Sequence, residues 1–274
     1  PTELQNINIQ EKLGQQVDLN LQFRNEKGDL VPLRSVIDGR KPVLLFLAYY
    51  GCPNLCSFFF NGAVASLKKF SDPNFKDLQN PGALIKGPGW VPGKEFNIVT
   101  VSIDPREQPM LASRKKDNLL RALEIPGAEK GWNFWVSDVS PPTSASTKDA
   151  AETKTNSRIL ADSVGFNYRF DPATNQFAHA AAMIVLTPEG KVSRYLYGIE
   201  FQPKELRLAL VEAGGGKIGT MVDRILLFCF NYDPRTRKYS FYIMNFMRVA
   251  AAATALGLAV FITRSLRRNR MKVV

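Results

Sequence analysis

The chain has 274 residues, 45% of them hydrophobic and 22% charged, with three cysteines, one histidine and a formal net charge of +11. That length and apolar content allow one substantial core plus an appendage, which excludes a disulfide-stapled mini-protein, and the cysteines read as a reactive pair with one bystander. Residues 233–274 hold nine Lys or Arg against Asp233 alone, a net of +8 that leaves +3 elsewhere, so the basic excess flanks an apolar run and nucleic acid is not an indicated partner.

Opening on Pro1 rather than Met fits a mature chain whose signal peptide has been removed, or a trimmed one. From Gln16 to Phe23, Val17, Leu19, Leu21 and Phe23 alternate with polar residues, the period-two pattern of a half-buried strand, and Glu26-Lys27-Gly28-Asp29 follows as a turn. Val43 to Leu47 is a continuous apolar run that predicts a central strand buried on both faces. It leads into Tyr49-Tyr50-Gly51-Cys52-Pro53-Asn54-Leu55-Cys56. On a helix, Cys52 and Cys56 would face the same way, close enough for a disulfide or for two thiolates converging on a soft ion. Pro53 suits a first helical turn, which sets Cys52 beside the positive end of the helix dipole, where its thiolate should form readily.

The helix continues from Phe58 to Phe70, with Val64, Leu67 and Phe70 apolar and Lys68 and Lys69 solvated, and residues 72–94 read as a loop-rich excursion. Phe96 to Ile103 is a second buried strand, stopped by Asp104-Pro105, and Met110 to Leu123 is a helix; this alternation predicts a parallel-type α/β sheet. Asp104 either forms the turn at the strand end or approaches the cysteines as an outer carboxylate. Trp132 to Val136 is a short strand whose tryptophans are core or rim aromatics, and Ser140 to Ser157, rich in Ser, Thr, Ala and Pro, is a surface insertion. Ile159 to Val164 reads as helical, Ala180–Leu186 and Val192–Tyr197 as a hairpin around Thr187–Lys191, and Pro203–Ala213 as a closing helix.

His179, the only histidine, lies just before that hairpin. A lone histidine is more often structural than a ligand, but two thiolates with one imidazole suit copper, Cu(I) especially and Cu(II) once a weak extra ligand joins; zinc prefers a fourth protein ligand. No glycine-rich phosphate cradle, Ser-His-Asp arrangement or carboxylate pair nominates hydrolysis. Cys229, in Leu226-Leu227-Phe228-Cys229-Phe230, reads as a small hydrophobe.

Phe241 to Thr263, about 23 residues or roughly 34 Å of helix, is the candidate membrane span, with Arg248 inside it and Arg264, Arg267, Arg268 and Arg270 following. The positive-inside rule puts the arginine end in the cytoplasm and the cysteine domain outside. Ala251, Ala255 and Ala259, with Ala253 and Gly257, have the spacing of a helix-packing face or simply fill the helix, and the basic aromatic stretch 232–239 suits either lipid headgroups or a solvated linker. The organisation expected is a domain over 1–215 with an insertion at about 140–157, a juxtamembrane linker over 216–240, a transmembrane helix over 241–263 and a basic cytoplasmic tail over 264–274.

Three pieces occur in order: the apolar strand ending in Tyr49-Tyr50-Gly51-Cys52-Pro53-Asn54-Leu55-Cys56, the strand ending in Val101-Ser102-Ile103-Asp104-Pro105, and the late histidine ahead of Met183 to Lys191. Over about residues 10 to 213 the chain thereby resembles the SCO/SenC family of thioredoxin-fold copper proteins. The resemblance implies an α/β thioredoxin-like domain with Cys52, Cys56 and His179 as ligands of one copper ion, Cu(I) or Cu(II), and a contact to the other imidazole nitrogen. It implies a role in assembling the copper centre of a respiratory cytochrome c oxidase, as copper chaperone, as thiol-disulfide reductase through Cys52 and Cys56, or as both. The setting is then a bacterial inner membrane, with the domain on the periplasmic side, the oxidase or another respiratory complex as partner and lipid around the C-terminal helix. An accessory structural subunit of such a complex, with a vestigial cysteine site, is the alternative. Ser57 and Ala178 depart from the proline and the acidic residue that many members carry there, and the anchor is C-terminal where the family's is usually N-terminal.

Overall fold

The centre of the fold is the strand with the least polar sequence, β3 (Val43–Ala48), six consecutive buried residues. It is identified here in a computed structural model that describes residues 8–52, 55–72, 89–138 and 155–219, together with Arg248 and Thr254. The chain divides into two compact units, Pro1–Gly219 and Thr220–Val274. In the second, Arg248 and Thr254 are helical and exposed. Apart from these two positions, the expected membrane span 241–263, the linker beyond Gly219, the tail 264–274 and Cys229 lie outside the described residues, as do Pro53 and 140–154 of the expected insertion. Among the described residues no helix is long and apolar enough to cross a membrane.

In the first unit β3 runs parallel to β4 (Asn97–Ser102), which runs parallel to β5 (Trp132–Ser137). On its other side β3 pairs antiparallel with β8 (Ala182–Leu186), and β8 with β9 (Val192–Tyr197). Beyond β5 lies the antiparallel pair β1 (Gln22–Arg24) and β2 (Leu30–Pro32), giving a seven-stranded sheet in the order β2-β1-β5-β4-β3-β8-β9. A separate two-stranded hairpin is formed by β6 (Tyr168–Asp171) and β7 (Gln176–His179).

The expected parallel-type sheet is therefore corrected to a mixed one. Only the strands joined through helical crossovers are parallel; β1–β2 and β8–β9 are joined by short turns, and a short turn permits only antiparallel pairing. The helices are α1 (Leu55–Ser71), α2 (Pro109–Leu123), α3 (Asn156–Ser163) and α4 (Pro203–Gly214), with α1 packed against both α2 and α4. A β3-α1-β4 crossover followed by the β8–β9 hairpin and α4 is the layout of a thioredoxin-like core.

Two boundaries differ from expectation. Val17, Leu21 and Phe23 are buried as their alternation requires, but only 22–24 join the ladder, because Gln16 bridges Lys191 instead and Asp18 to Leu21 forms a turn. The helix expected from Ile159 begins at Asn156, since Thr155 caps it by accepting the Arg158 N–H, so the insertion ends before that cap.

α1 presents Phe59, Phe60, Ala63, Val64, Leu67 and Phe70 to the core, with Phe59 edge-on to Phe46 of β3 at 5.4 Å and Phe46 edge-on to Trp132 of β5 at 6.0 Å. At Gly62 the helix meets the chain leaving β9: a Cβ there would lie 1.6 Å from the Ile199 carbonyl oxygen. Helix propensity favours alanine over glycine by about 1 kcal/mol, but here the clash is with backbone and reverses the sign. Gly62→Ala is expected to destabilise the domain by about 2 kcal/mol in urea denaturation; a gain in stability would show that the 198–200 segment yields freely.

Candidate metal and thiol site

The pairing pattern sets the site's location. β3 and β4 are parallel, so their carboxyl ends lie side by side, and β8 is antiparallel to β3, so its amino end meets the same edge. The loop after β3 carries Cys52, the loop after β4 carries Asp104 to Glu107, and the segment entering β8 carries His179. Three stretches far apart in sequence thus share one rim.

The cysteine loop is seated by a carboxylate. Glu107, almost fully buried, accepts the Tyr50 N–H at 2.9 Å and the Gly51 N–H at 2.7 Å, and Ser102 donates its hydroxyl to it at 2.5 Å. Burial raises the Glu107 pKa above the usual carboxylate range against the pull of these three hydrogen bonds. Tyr50, buried beneath the loop, places its hydroxyl 2.6 Å from the Trp135 carbonyl and 3.1 Å from that of Thr100, which ties the loop to β4 and β5.

Cys52 and Cys56 are both buried and carry thiols with no disulfide between them. The Cys56 N–H donates to the Cys52 sulfur at 3.5 Å, so Cys52 stands where a capping side chain stands at the start of α1, at the positive end of its dipole. Ser57 turns its hydroxyl back toward the Cys52 carbonyl at 3.5 Å. Cys56 lies deeper, and burial pushes its thiol well above the ordinary cysteine value.

His179 Nε2 lies 3.2 Å from the Cys56 sulfur, and Nδ1 lies 2.8 Å from the Ala180 carbonyl oxygen. A carbonyl only accepts, so Nδ1 carries the proton and Nε2 turns its lone pair to the sulfur. That carbonyl is the contact expected for the histidine's other nitrogen. The ring packs edge-on to Tyr49 at 6.0 Å and beside Phe166 at 5.8 Å. Burial lowers its pKa below the ordinary histidine value, with the Ala180 bond opposing more weakly, so the imidazole is neutral.

Cys52, Cys56 and His179 thus share the site, with Cys56 and His179 in direct contact. Among the described residues, no group of three or more His, Cys, Asp and Glu side chains is already drawn together as a metal cage. The donors present are thiol, thiol and neutral imidazole, a soft set that fits copper. Asp104 is not one of them. Its carboxylate accepts the Arg106 N–H at 2.9 Å in a turn and pairs with the Arg106 guanidinium, so the turn-forming alternative is the one observed.

Tyr49, Glu107 and Arg106 were not singled out from the sequence. Tyr49 hydrogen-bonds Cys52, and burial followed by that bond raises its phenol pKa. The usable signal for Glu107 was its place one short loop after a buried strand that lies beside the cysteine strand.

No family model matches the chain, and no curated protein matches it in sequence. Among solved structures it is similar to a proposed electron transfer protein from Aquifex aeolicus VF5, at 20% identity over 74% of this chain and 95% of that one, with a TM-score of 0.55. It is also similar to a proposed electron transport protein from the same organism, at 22% identity over 74% and 99%, TM-score 0.51. These two likenesses show a shared fold. Yeast Sco1 is matched at 11% identity over 74% and 99%, TM-score 0.47.

Neutral burial of His179 has a pH signature. Its folded pKa is depressed, so below the unfolded value of about 6.5 the unfolded chain takes up a proton that the folded one resists. The stabilisation is present above that pH and is lost as pH falls through the interval beneath it. The drop in urea midpoint between about pH 7.5 and about pH 5.5 is expected to be larger in the wild type than in His179→Gln; identical drops would contradict neutral burial.

Proposed function

We propose that the chain is a member of the SCO/SenC family that takes up a copper ion as cargo through Cys52, Cys56 and His179 and serves assembly of the copper centre of a respiratory cytochrome c oxidase. The observation that carries the reading is the 3.2 Å approach of His179 Nε2 to the Cys56 sulfur, with Nδ1 engaged by the Ala180 carbonyl. An imidazole held in this tautomer against a thiol is prepared for a soft metal: copper would take the place of the proton on the sulfur, and uptake would release it. The resemblance in the order of the three sequence pieces and the thioredoxin-like layout support the family. The apolar stretch 241–263 with its arginine flank supports a single-pass anchor in a bacterial inner membrane, the domain periplasmic and the tail cytoplasmic.

The same residues support a second activity, reduction of a target disulfide before copper enters. Cys52, at the helix start, attacks as a thiolate, forming a mixed disulfide and releasing one target thiolate. Cys56 then passes its proton to His179 Nε2 and attacks the Cys52 sulfur, releasing the second target thiolate. The target gains two electrons, Cys52 and Cys56 are left as a disulfide, and a further thiol reductant must restore them. The proton path along the Cys56–His179 contact favours this reading specifically.

Metal analysis of protein purified under reducing conditions separates the two. The wild type is expected to hold one copper per chain, and Cys52→Ser, Cys56→Ser and His179→Ala to lose it; full stoichiometry and affinity in His179→Ala would defeat the three-ligand reading. For the reductase activity, Cys56→Ser is expected to trap Cys52 in a mixed disulfide with a target thiol, visible as a reducible mass adduct. Absence of the adduct with any disulfide peptide of the oxidase copper site would remove that activity.

A further inference from the structure

His179 is the last residue of β7, and its hairpin pairs with no strand of the main sheet. At one end the hairpin is held by Arg158, which donates to the Tyr168 carbonyl at 2.9 Å and lies over the Tyr168 ring at 4.6 Å. Tyr49 of the cysteine loop packs on Phe177 and His179, and a side chain from the loop after β4 reaches the hairpin's other end. Arg106 forks onto Asp104, with Nε 2.8 Å from Oδ1 and Nη2 2.7 Å from Oδ2. Its remaining terminal nitrogen, Nη1, donates to Asn175 Oδ1 at 2.8 Å, in the turn that joins β6 to β7. The guanidinium plane covers the hairpin's aromatic pair, 5.1 Å from the Phe170 ring and 5.6 Å from the Phe177 ring, two residues directly opposed across the strands.

We propose that Arg106 is the positioning residue of His179: it latches the β6–β7 hairpin to the Asp104–Glu107 loop and so holds the imidazole against Cys56. The chain of contact is continuous. Phe177, beneath the guanidinium, packs edge-on to Tyr49 at 5.8 Å, and Tyr49 packs on His179. An ordinary surface ion pair would contribute little, but Asp104 is almost fully buried and Arg106 mostly so, and one planar group makes the fork, the hairpin bond and the ring contacts together. Lysine cannot reproduce that geometry.

Because His179 is the only histidine in the chain, its acylation by diethylpyrocarbonate, followed at 240 nm, reads its exposure with no metal present. The rate is expected to rise about fivefold in Arg106→Ala, the factor that losing one hydrogen bond's net worth gives, and by less in Arg106→Lys and Asn175→Gly. Asn175→Gly removes the hairpin bond at an exposed turn and still accepts the left-handed backbone of that position, φ 54°, so it remains informative if Arg106→Ala does not fold. An unchanged rate in Arg106→Lys and Asn175→Gly would overturn the latch. The consequence for copper rests on the function proposed above: dissociation of Cu(II) should quicken in the same order as acylation. Quicker acylation with unaltered copper release would leave the latch standing and count against His179 as a ligand, whereas unaltered acylation beside copper loss in His179→Ala would do the reverse.

Discussion

The site depends on how strand β3 is paired. A parallel neighbour on one side and an antiparallel neighbour on the other bring the carboxyl ends of β3 and β4 and the amino end of β8 to a single rim. Register carries the detail: Ala48 opposes Ser102 at the end of the parallel ladder, so the cysteine loop and the Asp104–Glu107 loop leave the sheet side by side. Phe46 opposes Met183, which leaves His179 a few residues upstream at the same end. A slip by one residue would turn every side chain of β3 to the other face, and its burial on both faces opposes any such slip.

On that rim the polar groups are linked to one another and not left to water. Glu107 satisfies two backbone donors of the cysteine loop and the Ser102 hydroxyl; Ser102 lies also within 3.3 Å of the Asp104 carbonyl and accepts the Asp104 N–H at 3.1 Å. Asp104 holds Arg106, and Arg106 holds the hairpin of His179. A buried network of this kind is strong only while each member is paired, since one missing partner leaves a desolvated group behind. The sulfur-bearing loop and the imidazole therefore share a support whose elements come from the loop after β4.

Much of this was legible in the sequence wherever one physical effect dominated. The runs Val43–Leu47 and Phe96–Ile103 could only be buried strands, and Ala180–Leu186 with Thr187–Lys191 and Val192–Tyr197 could hardly be other than a hairpin; β3, β4, β8 and β9 follow them closely. The β6–β7 hairpin was not read because Tyr168–Asp171 and Gln176–His179 are four-residue strands with too few apolar positions for a period to show. The cysteines and the histidine were nominated from residue type and order, since thiol and imidazole carry their chemistry with them. Glu107 and Arg106 were not, because a carboxylate and a guanidinium beside Asp-Pro read equally well as a solvated turn, and only tertiary packing buries one and stacks the other.

The protonation states on the rim point to one kind of chemistry. Burial lowers the imidazole's pKa and raises that of the Cys56 thiol, and the raised Glu107 faces backbone donors instead of the sulfurs. What remains at the mouth is one sulfur at a helix start, a second sulfur behind it and an unprotonated nitrogen directed at the second. Under the function proposed above, this set gives up protons in exchange for a soft cation, or electrons in exchange for a disulfide bond, and both exchanges would pass through the Cys56–His179 contact, so a change that moves the hairpin of His179 is expected to alter the two together.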